Sequence, residues 1–296
     1  MKNINKIVGI LVLVALLGTT AKAQLNPVTA QYYTNQYIAN PALAGFAQGL
    51  TLNGAYRSLF NNIPGAPVDQ NLTGEYGFSK VGVGLNLSNE TAGLLRQTRL
   101  VATYAYHLSL DGDSKKLHFG ISGGFMSQRL EGSDVVGNVA DPLIGQYNAR
   151  KTYIDGDFGI AYTSEKINLQ LALPNLKTFF KRDELKVADV TTFYSSLSYK
   201  FNIGKGISGI TAEPKVAFRG VRDFDNLWDA GVQVAVLNEQ VFFTGLYHST
   251  ENATLGLGMN FRKKYLISGL YTTQTSDLGA YTNGSFELNL RVAFGK

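Results

Sequence analysis

The chain has no cysteine, one tryptophan and, past its first two dozen residues, no apolar run long enough to cross a bilayer as a helix. Without cysteine there is no disulfide framework, and no lipid anchor on a cysteine behind a cleavage site. Membrane residence would have to come through strands. Positive charge is scarcer than it looks. Lys2, Lys6 and Lys22 fall in a leading stretch without acids, so removing that stretch takes 27 basic residues to 24 against 22 acidic. A near-neutral balance, with no basic run carrying interleaved aromatics, is a poor footprint for nucleic acid, and no such partner is expected.

The leading stretch has the parts of a secretory signal. Lys2 and Lys6 form a charged start, Ile7 to Gly18 a short apolar core, and Ala21-Lys22-Ala23 a small-x-small cleavage site. The apolar core is shorter than the roughly 20 residues an anchor helix needs. Residues 1–23 therefore read as a cleaved signal peptide, with an exported chain beginning at Gln24.

Glycine, tyrosine and phenylalanine are abundant, at 32, 16 and 17 residues, and from about residue 49 the hydrophobic period is two. Val81, Val83, Leu85 and Leu87 alternate with Gly82, Gly84, Asn86 and Ser88. The last strand is the strictest: Phe286, Leu288, Leu290, Val292 and Phe294 oppose Ser285, Glu287, Asn289, Arg291 and Ala293. Strands are expected at 49–57, 69–78, 81–88, 98–110, 117–127, 153–163, 166–173, 191–201, 210–219, 227–236, 241–249, 253–261, 265–274 and 284–294, fourteen in all. The segments from 241 and 265 alternate poorly. Most of the strands are close to the roughly 9–11 residues that cross a hydrocarbon layer when tilted.

Connections alternate long and short as far as residue 201: 58–68, then Ser79-Lys80, then 89–97, 111–116, 128–152, Ser164-Glu165 and 174–190. Outer-membrane barrels have short periplasmic turns and longer outer loops, which predicts both termini in the periplasm and the 128–152 and 174–190 loops outside. A soluble sandwich also alternates, but it turns many charges to water. Here the second faces are mostly Gly, Ser, Thr and Asn, and aromatics such as Tyr76, Phe78, Tyr199, Phe201 and Tyr265 collect near strand ends as in an interfacial girdle. The expected fold is all-β, a transmembrane antiparallel β-barrel over residues 49–296.

Residues 24–48 lack the period-two pattern. Tyr33 and Tyr37 stand one helical turn apart, and Asn40-Pro41 and Gly45 are turn chemistry leading into the first strand. The segment is either a leader that caps the mouth or an ordered plug. The plug is favoured, because a barrel of this size is too wide for its own side chains to fill and exposed tyrosines would be costly.

This segment carries a resemblance. Gln31-Tyr32, Asn35 and Asn40-Pro41-Ala42-Leu43-Ala44-Gly45 resemble the start of the PorP/SprF family of Bacteroidetes type IX secretion proteins. The likeness continues in Arg57, in Gly65-Ala66-Pro67, in Val81 to Leu85, in Tyr104-Ala105-Tyr106-His107-Leu108, in Leu117-His118-Phe119-Gly120 and in Gly284-Ser285-Phe286-Glu287. Leu59-Phe60 stand where the family often has a tryptophan, and Phe286 where it often has a histidine. The resemblance implies an outer-membrane barrel that works with type IX secretion components to export or retain large secreted surface proteins, such as gliding adhesins, that carry a C-terminal sorting domain. It also implies a partner-binding protein and not an enzyme. Gln31, Tyr32, Asn35, Asn40, Pro41, Ala42, Gly45, Arg57, Gly65 and Pro67 become the candidate plug or partner-binding residues. The alternative is a channel or hydrophobic-solute transporter of the fatty-acid-transporter kind, which also carries Asn-Pro-Ala near a plugging segment.

No catalytic constellation stands out, and no cofactor is expected. His107 and His118 share a polar face within diagonal reach, but a metal would want a third ligand and His248 is far along the chain. Asp155 and Asp157 share a face, where pairing with an arginine such as Arg99 is the ordinary outcome. Asp111-Gly112-Asp113 lacks the closing glutamate of a calcium loop. Glu287, Asn289 and Arg291 are expected to face the lumen beside Asn53 and Arg57, and the strand's apolar end at Phe294 resembles the signal read by outer-membrane assembly machinery.

Overall fold

A computed structural model describes residues 31–60, 65–111, 114–131, 152–177, 191–204, 209–221, 225–274 and 282–294. Residues 1–30 and most of the 128–152 and 174–190 loops lie outside the described residues. Strands β1 (Gly49–Ser58) to β15 (Ser285–Phe294) form one antiparallel sheet in which each pairs with the next, apart from a split at β8 and β9. β10 pairs with β11, and β15 pairs back onto β1 with Leu50 opposite Phe294 and Arg57 opposite Glu287, so the sheet closes. Closure leaves no edge, which is the condition for strands to stand in lipid.

β8 (Thr191–Tyr199) and β9 (Phe201–Ile203) are one interrupted strand along β10 (Ile210–Val221), so the barrel has fourteen staves from fifteen segments. The expected unbroken strand over 191–201 is split at Lys200. Between the two ladders β10 carries Glu213 and Pro214, and proline has no N–H to donate across the gap. Both poorly alternating segments form strands, β12 (Val241–His248) and β14 (Tyr265–Thr272).

β3 (Val81–Ala92), β4 (Leu95–Asp111) and β5 (Lys115–Leu130) extend well beyond their expected ends. The expected long connection over 89–97 is paired strand, turning at Gly93-Leu94 where Gly93 takes φ +55°. Alternation fades in Asn89-Glu90-Thr91 and Arg96-Gln97-Thr98, which mark where a hairpin rises beyond an apolar layer. Of the expected 128–152 loop, Gln128 to Leu130 are strand.

Both the start of β1 and the end of β15 lie at one rim, the terminus rim, together with the turns at Ser79-Lys80, Glu165-Lys166 and Arg262 to Lys264. The Arg262 turn is tight and left-handed, with φ +53° and +55° at Arg262 and Lys263 and a Lys264 N–H bond to the Phe261 carbonyl. Opposite lies the loop rim, with the longer connections after β1, β5, β7 and β14.

The amphipathicity is inside out. Leu72, Leu85, Ile121, Leu197, Leu257 and Ile267 are each more than half exposed on the outer face, while Thr73, Asn86, Thr103, His118, Ser198 and Ser268 are buried inside. Placing a charge on the outer band tests this directly. Leu85→Arg is expected to lower bilayer folding stability by about 2–4 kcal/mol near the midplane, measured by urea titration in lipid vesicles; an unchanged midpoint would mean that this face does not meet lipid.

Candidate functional site

The interior is occupied by the chain itself. Gln31 to Phe46 runs down the lumen as a helical turn Gln31–Thr34 and two 3-10 turns, Gln36–Ile38 and Pro41–Leu43. Short turns follow from the sequence: Pro41 cannot continue a preceding helix, and Asn40 caps the turn after it by accepting a bond from the Ala42 N–H at 3.0 Å.

On the β2 to β6 side the wall approaches this segment so closely that only glycine fits. A Cβ at Gly82 would lie 1.9 Å from the Ala44 carbonyl oxygen, at Gly84 2.7 Å from the Tyr37 ring, at Gly120 2.3 Å from the backbone of Pro41 and Ala42, and at Gly159 2.0 Å from Asn40 Oδ1. The inward glycines are seats. The complementary residues are small or short for the same reason: Asn40, Ala42 and Ala44 are fully buried. Gly45 takes φ +61° and passes close beneath the Tyr76 carbonyl, a position open only to glycine. Its N–H bonds to Glu75 Oε2 at 2.8 Å. The Asn40 side chain also donates to the Ile160 and Leu171 carbonyls at 3.1 and 3.3 Å.

On the remaining wall long polar side chains bridge the gap. Tyr32 donates from its hydroxyl to Asp229, which accepts from Arg219 Nη2 at 3.0 Å and faces His248 Nδ1 at 2.6 Å; His248 Nε2 in turn meets Thr254 at 2.8 Å. Lys215 Nζ donates to the Tyr32 carbonyl at 2.6 Å and lies 4.7 Å from the centre of the Tyr33 ring, while Tyr194 stacks on Tyr32. On the glycine side Asn35 also donates to Thr73 of β2 at 2.9 Å and Tyr37 meets Thr103 of β4 at 2.7 Å, while on β7 (Ile167–Leu173) Asn168 and Gln170 donate to Gln36 at 2.8 and 2.7 Å. At the closing seam Arg291 donates to the Thr34 carbonyl at 3.3 Å and Gln31 bonds to Glu287. The segment is thus bonded to walls on opposite sides of the barrel.

The expected residues divide accordingly. Gln31, Tyr32, Asn35, Asn40, Pro41, Ala42 and Gly45 all lie in the lumen segment, and Glu287 and Arg291 face it from the seam, with Arg57 beside Asp69 at 3.6 Å. Gly65 and Pro67 do not join them. They shape the connection between β1 and β2, where Gly65 accepts from the Gly93 N–H at 2.9 Å and Pro67 from Leu59 at 3.0 Å. His107 and His118 are directly opposed rather than diagonal, because the register pairs them, and their Nδ1 atoms lie 2.8 Å apart. The Phe46 ring packs edge-on to both, and His118 Nε2 meets Thr163 at 2.7 Å. Among the described residues no group of three or more His, Asp or Glu converges as a metal site. Arg99 pairs with Asp157 at 2.6 Å, and Asp155 accepts from the Lys177 N–H at 2.9 Å.

β1 begins and β15 ends at one rim, while the residues before Gln31 and after Phe294 lie outside the described residues. Gln31 is held near the loop rim, since Glu287 stands opposite Arg57 one residue from the end of β1. An even stave count fixes where β1 begins; it does not fix the direction of a segment that fills the lumen.

Sequence reading missed Asp229, Arg219, Lys215 and Glu75. Each is a charge at a lumen-facing position of a strand, so the parity signal was present. Asp229, Arg219 and Lys215 meet around Tyr32 through the register of β10 against β11, whereas Glu75 meets the Gly45 N–H. Beside the segment, toward the terminus rim, a cavity is lined by Tyr33, Lys200, Glu213, Gln233, Glu239, Phe242 and Arg291 among others. The Lys200 ammonium bonded to Glu239 holds that carboxyl below its usual range.

Three substitutions test the seating. Gly120→Val is expected to cost about 1–3 kcal/mol through overpacking, whereas Gly123→Val on the outward face, with open space at its Cβ, is expected to be neutral; equal urea midpoints would remove the seat. Asp229→Ala leaves Arg219 buried without its carboxylate and is expected to cost about 3–5 kcal/mol by the same measurement, and an unchanged midpoint would deny this cluster an anchoring role.

Comparison with solved structures returns outer-membrane barrels. The Acinetobacter baumannii outer membrane protein Omp33 aligns with a TM-score of 0.52 at 7% identity over 84% of this chain and 100% of that one. The Ralstonia pickettii toluene transporter TbuX aligns at 0.46 with 12% identity over 93% and 95%. No curated protein matches the sequence. A family model described as type IX secretion system membrane protein PorP/SprF matches residues 21–292, taking in the lumen segment and almost every stave. The chain belongs to the PorP/SprF family of type IX secretion system membrane proteins, outer-membrane β-barrels.

Proposed function

We propose that this barrel acts with the type IX secretion machinery in the export or surface attachment of a large secreted protein, and that it does so by binding that protein and not by conducting a solute. The observation that carries the reading is the filled lumen: Gln31 to Phe46 is bonded to β2, β4, β6, β7, β10, β11 and β15. A conducting pathway would have to displace a set of buried bonds, several of them to charged groups and worth about 1.5–3 kcal/mol each. Family membership supports a secretion role; the client, a surface adhesin with a C-terminal sorting domain, is inferred from what such family members handle. Residues 1–23 act as the export signal in this reading. The short-turn rim faces the periplasm and the loop rim faces the outside. Partner contact is assigned to the 128–152 and 174–190 loops, whose length suits recognition.

Gentle-detergent purification from the native host, followed by identification of co-eluting chains, tests the proposal. A large secreted protein in about equal amount is expected. A solitary barrel that conducts ions in planar bilayers would overturn the proposal in favour of the transporter reading.

A further inference from the structure

The lumen segment does not fill the barrel evenly. Against β10 to β15 it leaves a cavity of about 120 Å³, several times the roughly 10–15 Å³ that one water molecule needs. Thr211 of β10, Ala235 of β11 (Leu227–Val236), Phe242 of β12 and Asn260 of β13 (Asn252–Phe261) line it, each the second residue from its strand's end at the terminus rim. A wider recess of about 460 Å³ continues the cavity outward, since Lys200, Thr211 and Glu239 line both. Toward the loop rim Tyr32 ties the segment across the lumen, through its hydroxyl to Asp229 and its carbonyl to Lys215. The cavity is therefore entered from the terminus rim.

Four charged side chains line the cavity, and three are matched. Lys200 bonds to Glu239 at 2.5 Å, and Glu213 accepts from Ser198 Oγ at 2.6 Å and stands 3.9 Å from Lys215 Nζ. Arg291 is the exception. Its bond is a single donation to the Thr34 carbonyl at 3.3 Å, no carboxylate among the described residues lies within ion-pair distance, and Glu75 acts on it only at longer range. A guanidinium carries five N–H groups in a planar fork that matches a carboxylate. Three other lining residues hold a buried oxygen with no hydrogen-bond partner: the Tyr33 hydroxyl, Thr34 Oγ1 and Asn260 Oδ1. Such atoms are uncommon in folded chains, and three on one cavity point to a bound polar group. The rest of the lining includes Ala235, Phe242 and Leu266, which form a buried apolar cluster.

We infer that this cavity is a binding site for a small carboxylate bearing a short apolar group, with the carboxylate on the Arg291 fork and the apolar end against Phe242 and Leu266. One guanidinium beside an apolar cluster suits a singly charged carboxylate better than a phosphate. At the recess Lys200 and Lys263 outnumber Glu239, which favours entry of an anion. Tyr33 and Thr34 belong to the lumen segment and the other lining residues to the wall. The ligand therefore joins the two and stabilises the plugged barrel.

Calorimetric titration of the whole exported chain in lipid nanodiscs tests the site, with pentanoate as probe and pentanol and inorganic phosphate beside it. Pentanoate is expected to bind one to one and to raise the urea midpoint, and the other two to do neither. Arg291→Gln is expected to weaken pentanoate at least about tenfold. Ala235→Leu, which fills the apolar side of the cavity, is expected to abolish binding, and it decides the matter if Arg291→Gln also loosens the segment by losing its bond to Thr34. Arg262→Gln removes the same charge from the exposed turn at this rim and is expected to leave binding unchanged. A short peptide ending in valine separates two sources of the same chemistry. Binding that is lost when its end is amidated assigns the site to a polypeptide carboxyl terminus; exclusion of the peptide while pentanoate binds assigns it to a free acid. No binding of either probe at millimolar concentration would mean that the cavity holds water alone and would overturn the proposal. So would tighter binding of phosphate, an equal loss in Arg262→Gln, or undiminished binding in both Arg291→Gln and Ala235→Leu.

Discussion

A closed sheet of fourteen staves pairs its strands edge to edge all the way round, apart from the interruption at Lys200, but encloses a polar interior wider than its own side chains can fill. Filling that interior is the constraint on which the rest of the structure depends. The chain meets it with its own amino-terminal segment, by two different means. Against β2 to β6 the wall gives up side chains at Gly82 and Gly120, where backbone packs on backbone, and at Gly84 and Gly159, where the Tyr37 ring and the Asn40 amide fill the space. Against β7 to β15 the wall keeps long polar side chains, and Asp229, Lys215, Gln170 and Arg291 reach across to tyrosine, amide and carbonyl groups. The first supplies mainly shape, with Glu75 as its one named charge on the segment, and the second supplies most of the charged contacts.

The arrangement ties plug and seam together. β1 follows directly from the segment, and its last partner, β15, brings Glu287 and Arg291 onto Gln31 and Thr34 as the sheet closes. The segment precedes every strand in sequence and is enclosed by the closed sheet. A barrel closed without it would leave Asp229 and Arg219 facing an unfilled interior, at the cost that attends buried charge without its full set of partners.

Much of this was legible in the sequence, for a physical reason. Alternation is enforced where one face meets lipid and the other a polar interior, so β3 showed itself through Val81 to Ser88 and β15 through Phe286 to Phe294. It is not enforced where both faces meet water, and for that reason Asn89 to Gln97 read as a loop when it is a raised hairpin. The Lys200 interruption depends on Pro214 in the neighbouring strand, which no local pattern reveals. The same holds for the site. Asn40-Pro41-Ala42 and Gly45 carried a local turn signature, whereas Asp229, Arg219 and His248 sit on three strands and converge only through register.

Hydrogen exchange on the folded barrel in lipid measures the central claim most directly, by following the amides of Gln31 to Phe46 against those of the strands. Seated packing predicts protection across this segment, strongest at Ala42 and Gly45, whose N–H groups bond to Asn40 and Glu75. Exchange at the rate of an unstructured chain, with the strands still protected, would contradict a filled lumen and every inference built on it.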